Sequence, residues 1–238
     1  MLNPALDIRA LAEEFTRANR IQIRDVLTAD VAERLYQCLD REVPWGLAYI
    51  DGEEYKVLTA DKIANFTRAD WAALNERVQS RAKDKFQFLY NSYMMISAYK
   101  EKRDPELILR GMVEAINTPS FLLFLRAVTG VGNIMAADAQ ATRYMPGHFL
   151  KKHTDTVVGQ YREIAYVLNL TKDWQADWGG LLNFLDEDGN VIDTFMPAFN
   201  SLTLFRVPMW HHVSYVAPSA GAPRYAITGW GFSRPRSD

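Results

Sequence analysis

The 238-residue chain is 48% hydrophobic, and its 27 basic and 29 acidic side chains leave a net charge of −2 and a pI near 6.1. That balance lacks the basic footprint of a nucleic-acid binder, and no apolar run is long enough to span a bilayer as a helix. A single cysteine, Cys38, excludes an internal disulfide framework or a zinc–cysteine site. With no basic segment leading into an apolar run at the N-terminus, a reducing cytoplasm is the expected setting.

The first part of the chain reads as mostly helical. Ile8, Leu11, Ala12 and Phe15 recur at helical spacing and predict a helix over 5–18. Thr28 is a candidate cap for a second helix with Val31, Leu35, Cys38 and Leu39 on one face. Thr67 can cap a third, carrying Trp71, Leu74 and Val78 and ending in the charged run 81–85. Two more helices are predicted over 105–117 and 119–129, the latter opening at Pro119 and stopping at Gly130, as proline and glycine favour. Between helices, 46–57 and 86–98 are rich in aromatic and β-branched residues and predict strands.

From Ala139 the texture changes to short apolar runs separated by turn signals such as Trp178-Gly179-Gly180 and Asp186-Glu187-Asp188-Gly189-Asn190. Strands are predicted at 139–145, 161–170, 181–185, 191–195, 201–207, 211–217 and 223–232. That pattern predicts an α+β fold: a double-stranded β-helix, or jelly roll, with a helical layer packed on it. One catalytic unit over 1–238 is expected, with 1–135 mostly helical and 136–238 forming the β core.

Within this β region His153-Thr154-Asp155 is followed by Trp210-His211-His212-Val213 and by Arg224. Two imidazoles and one carboxylate are the facial set that holds non-heme Fe(II) and leaves coordination positions open. Alternation in a strand lets His153 and Asp155 share a face, and allows only one of His211 and His212 to join them; parity alone does not choose. An arginine on a following strand suits two-point binding of a dicarboxylate co-substrate. Arg224 stands among Ala226, Ile227 and Trp230, where an unpaired charge would be costly. His148 reads as a loop histidine, Gly179-Gly180 as a tight turn, and Tyr90, Tyr93 and Trp210 as candidates for either core or cleft.

At these residues a family resemblance enters. Tyr144, His153-Thr154-Asp155, Leu170-Thr171-Lys172-Asp173-Trp174, Gly179-Gly180-Leu181-Leu182, His211-His212-Val213 and Arg224-Tyr225-Ala226-Ile227-Thr228-Gly229-Trp230 carry it. The segment 139–234 resembles the core of Fe(II)- and 2-oxoglutarate-dependent dioxygenases in the prolyl-hydroxylase branch, most of all those acting on ribosomal proteins. The resemblance implies Fe(II) held by His153, Asp155 and His211, with 2-oxoglutarate and O2 as co-substrates. It implies that Arg224 pairs with the distal carboxylate and that Tyr144 helps position it. Asn169 stands where the family commonly has a tyrosine contacting the co-substrate, and it too can hydrogen-bond. Hydroxylation of an unactivated C–H bond follows, first of a prolyl residue in a peptide or protein. The alternatives are a free amino acid or natural-product intermediate as substrate, and, in a different class, a non-catalytic metal-binding jelly-roll sensing module.

Overall fold

The computed structural model describes residues 1–234. In the first part of the chain, α1 (Ile8–Ala18), β1 (Arg20–Ile23), α2 (Ala29–Arg41), β2 (Gly46–Asp51), β3 (Glu54–Leu58), α3 (Ala60–Ala64), α4 (Arg68–Asp84) and β4 (Phe88–Tyr93) follow in order. After them come α5 (Met95–Lys100), α6 (Leu109–Ile116) and α7 (Pro119–Thr129). The helix ends follow local chemistry. Asp7 accepts the Ala10 N–H to start α1. Thr67 and Asp70 form a reciprocal capping box on α4, a device worth about 1 kcal/mol. Pro119 opens α7 and Gly130 closes it in the left-handed conformation. Thr28 precedes α2 with extended backbone but makes no side-chain capping bond.

Three expectations are refined here. The span 46–57 does form strands, as a hairpin in which Gly52 takes φ +61° and turns β2 back on β3. The span 86–98 is strand only to Tyr93; from Met95 it is helical, where Met95 and Ala98 face the helical-side core. The predicted helix 105–117 shortens to α6.

The second part contributes β5 (Ala136–Ala137), β6 (Gln140–Tyr144), β7 (Phe149–His153), β8 (Arg162–Asn169), β9 (Leu182–Leu185), β10 (Val191–Phe195), β11 (Ser201–Arg206), β12 (His211–Val213) and β13 (Arg224–Phe232). All seven predicted strands occur, although 211–217 contracts to three residues. Strand β7 lay outside the predicted set.

The strands pair in the order β1-β11-β8-β13-β6-β4-β7-β12-β9-β10. Two four-stranded sheets, β11-β8-β13-β6 and β7-β12-β9-β10, are joined through β4, which pairs with both β6 and β7. The two ends of this path meet: Arg20 Nε on β1 lies 2.7 Å from Asp193 Oδ2 on β10. The result is the nearly closed barrel of the double-stranded β-helix. The first part is thus more than a helical layer, since its strands extend and link the barrel sheets.

Alternation along β8 sorts the cores. Ile164, Tyr166, Leu168 and Leu170 face the helices, among Phe121, Leu125 and Val128 of α7, each such fully buried side chain adding about 1.5–3 kcal/mol. Ala165 and Val167 face the barrel interior with Phe205, Ala226, Leu182 and Val213. A third cluster seats α4, through Leu74 and Val78, on Leu47, Leu89 and Phe149. Among the described residues no helix is long and apolar enough to cross a membrane.

Candidate active site

His211 and His153 are register partners across the antiparallel pair β12–β7. Two residues along, Val213 pairs with Leu150, so two steps on β12 match three on β7. This bulge adds one residue at Lys151–Lys152 and re-aims the strand end, letting both Leu150 and His153 line the interior cavity. Asp155 lies just beyond the end of β7, so its position comes from the loop that follows rather than from strand alternation. The Arg162 guanidinium donates to the Asp155 carbonyl at 3.2 Å and steadies that loop.

The three side chains converge. His153 Nε2 is 3.5 Å from Asp155 Oδ1, and His211 Nε2 is 3.6 Å from Asp155 Oδ2. One ligand atom from each residue lies within 4.8 Å of the others. His153 Nδ1 contacts the Lys151 carbonyl at 2.9 Å and His211 Nδ1 the Met209 carbonyl at 2.8 Å. A carbonyl can only accept, so each Nδ1 carries the proton and each Nε2 presents a lone pair, the tautomer a metal-bound histidine requires. Burial, then the neighbouring His153, lowers the His211 pKa to about 4, which keeps it a neutral ligand near pH 7. Lone-pair atoms of one carboxylate and two imidazoles aimed at one point fit a divalent cation with open positions.

His212 is not in this group. It lies on the opposite face of β12, half-buried, while His211 is buried.

The cavity measures about 520 Å³ and contains His153, Asp155, His211, Tyr144 and Arg224 in its lining. Arg224 opens β13 opposite Tyr144 on β6, and its guanidinium carbon sits 5.0 Å from the Tyr144 ring centroid. It is only 2% exposed, its Nε–H has no hydrogen-bond partner, and no carboxylate forms an ion pair with it among the described residues. Burial lowers its pKa and the Tyr144 hydroxyl opposes that; a guanidinium nonetheless stays charged near neutral pH. A buried cation without an anion is costly, and the floor of this cavity therefore fits an anionic group.

Tyr144 stacks on Tyr90 at 5.2 Å, Tyr90 meets Phe88 in a tilted pair at 5.2 Å, and Phe88 meets Tyr55 at 5.7 Å. This aromatic wall runs from the floor to the surface, where Tyr55 and Phe86 are exposed. Trp230 and Arg162 stand on the other side, with the Arg162 guanidinium carbon 3.6 Å from the Trp230 ring centroid.

Sequence reasoning missed Phe86, Phe88, Arg162 and Trp230 as cavity residues. The alternation from Arg224 through Ala226 and Thr228 to Trp230 was the available signal for the last. Of the ambiguous aromatics, Tyr90 lines the cavity. Tyr93 instead donates to Asp104 at 2.7 Å on the helical side, and Trp210 lies outside beneath the Lys152 ammonium. Asn169 is buried on the interior face but does not line the cavity. His148 sits in the turn between β6 and β7 and accepts the Met145 N–H at 3.1 Å. Gly179 and Gly180 turn the chain into β9 with φ of +67° and +62°.

Residues 139–232 match the family described as the 2OG-Fe(II) oxygenase superfamily. The chain is 27% identical over 154 residues to the mouse (Mus musculus) prolyl 3-hydroxylase OGFOD1, covering 62% of this chain and 27% of that protein. It is 31% identical over 136 residues to the prolyl 3,4-dihydroxylase OGFOD1 of Ostreococcus tauri, covering 52% and 26%. The chain thus spans about a quarter of the length of these curated relatives. A Pseudomonas putida prolyl-4-hydroxylase structure shares the fold, with TM-score 0.53, 19% identity, and coverage of 95% of this chain and 99% of that one.

Proposed function

We propose that this chain, whose segment 139–232 matches the 2OG-Fe(II) oxygenase superfamily, is an Fe(II)- and 2-oxoglutarate-dependent dioxygenase that hydroxylates a prolyl residue in a peptide or protein. The observation that carries the reading is one cavity holding both a two-histidine, one-carboxylate cluster and a buried arginine that has no anionic partner among the described residues.

His153, Asp155 and His211 are the residues that would hold the metal, and Asp155 balances part of its charge. Arg224 would take the distal carboxylate of 2-oxoglutarate, with Tyr144 beside it. When bound, Fe(II) with 2-oxoglutarate and O2 supplies the oxidising equivalents, releasing succinate and CO2 as one oxygen enters the substrate C–H bond. The Lys151 and Met209 carbonyls hold both imidazoles in the ligating tautomer. The aromatic wall from Tyr55 to Tyr144 limits water around the site, which strengthens the Arg224–carboxylate pair. Its flat apolar faces and surface mouth suit a pyrrolidine ring presented on an extended chain, and the two OGFOD1 relatives are named for proline hydroxylation. We place the barrel and its helical layer together as one catalytic unit, and the lone buried cysteine suits a reducing cytoplasm.

The test is succinate release from 2-oxoglutarate on adding Fe(II) and a library of proline-containing peptides, with mass spectrometry of the peptides. A gain of one oxygen on a prolyl residue, coupled to succinate, supports the reading. Succinate without any peptide oxidation, but with an oxidised small metabolite, would replace the substrate; no succinate at all would indicate a binding module.

A further inference from the structure

Asn169 is 2% exposed, and its Oδ1 is one of the few buried side-chain atoms without a hydrogen-bond partner; Arg224 Nε is another. One is an acceptor and the other a donor. Both project into the barrel interior, as the alternation of Ala165 and Val167 on β8 and of Ala226 on β13 requires. Asn169 pairs in register with Ala226, so Arg224, two residues along, is its diagonal neighbour on the same face, within reach of long side chains.

The orientation of the amide follows from its other contacts. Asn169 Nδ2 faces Ser201 Oγ at 3.4 Å and the Val167 carbonyl at 3.5 Å. Ser201 Oγ spends its own proton on the Ala198 carbonyl at 2.9 Å, so towards Asn169 it can only accept, as can Val167. The amide nitrogen is therefore committed to that side and the oxygen is turned inward. An inward oxygen opposes a carboxylate but suits an N–H donor.

We propose that Asn169 is a positioning residue for Arg224. Its Oδ1 is the acceptor available to the Arg224 Nε–H, and taking that proton fixes the guanidinium plane, so that the terminal nitrogens face the distal carboxylate of the co-substrate. The inference rests on the reading of Arg224 as the dicarboxylate anchor. It gives Asn169 a role through the arginine instead of a direct contact with the co-substrate.

A double-mutant cycle with calorimetric titration of 2-oxoglutarate into anaerobic, manganese-loaded protein tests it. Asn169→Leu keeps the branched shape and removes the acceptor; Arg224→Lys keeps the charge and removes Nε–H. In the wild-type background Asn169→Leu weakens 2-oxoglutarate binding about 10–150-fold, the loss of one hydrogen bond to a charged group. In the Arg224→Lys background it changes binding less than about 2-fold, the non-additivity expected of two residues that act through one contact. Asn169→Ala gives the same pattern and serves if the leucine variant does not fold. Manganese affinity stays unchanged throughout, and the Arg224 Nε–H proton is expected to exchange slowly in the wild type and faster in Asn169→Leu. An equal loss in both backgrounds would show direct contact with the co-substrate and overturn the proposal, as would no loss in the wild-type background. Wild-type affinity retained in Arg224→Lys and Arg224→Ala would instead overturn the anchoring role of Arg224 itself.

Discussion

His153 and His211 face each other across the β7–β12 pair with ring centroids 4.2 Å apart, and each gives its Nδ1 proton to the backbone carbonyl two residues before it. The same local device on two antiparallel strands turns both Nε2 atoms toward Asp155. The ligand geometry is thus held by backbone, which is more rigid than a side-chain partner would be.

Asp155→Ala removes the only carboxylate in the cluster. Metal affinity, measured by manganese titration, is expected to fall by more than the 10–100-fold typical of losing an outer partner, with turnover abolished and the fold retained. Full activity in this variant would remove Asp155 from the ligand set.

The adjacent histidines should separate. His211→Ala is expected to eliminate metal-dependent succinate formation, whereas His212→Ala, altering a half-buried side chain on the outer face, should keep most of it. Steady-state assays of the two variants check the register; a reversed outcome would contradict the pairing of His211 with His153.

Gly179 takes φ +67°, and a Cβ there would lie 1.9 Å from the Tyr215 carbonyl oxygen. Gly179→Ala therefore combines an unfavourable backbone region with a clash against backbone that cannot swing away. A loss of about 3 kcal/mol or more is expected, read as a lowered denaturant midpoint.

Burial holds the His148 pKa at about 4, against an ordinary value of 6.5. Between these values the unfolded chain binds a proton that the folded protein does not, so stability falls as pH drops from about 6.5 to 4. The drop amounts to at most about 3 kcal/mol for this one group. His148→Asn offers a non-titrating acceptor to the Met145 N–H and should flatten that part of the pH dependence in chemical denaturation of the metal-free protein. An unchanged slope would show that His148 is protonated in the folded state.

Much of this site was legible in the residues. His153, Asp155, His211, Arg224 and Tyr144 meet in one cavity, and the predicted strands carrying Tyr144, His211 and Arg224 occur where alternation and turn residues place them. What was hidden depended on non-local geometry. The bulge at Lys151–Lys152 breaks strict alternation, so β7 could not be seen as a strand from its pattern. The aromatic wall is built by Tyr55, Phe86 and Phe88 of the first part of the chain, whose pairing with β7 through β4 no local signal announces. Asn169 could be placed on the interior face by parity, but the direction of its amide depends on Ser201 and Ala198, brought close only by the β8–β11 register.

The central claim is that a metal and a dicarboxylate co-substrate share this cavity through different residues. Calorimetric titration of 2-oxoglutarate into anaerobic, manganese-loaded wild type and Arg224→Ala tests it most directly. Removing one partner of a buried, hydrogen-bonded charge pair costs about 2–5 kcal/mol, or roughly 30- to 4,000-fold in affinity. The account predicts a loss in that range with manganese binding intact. Equal affinity in the two proteins would contradict it.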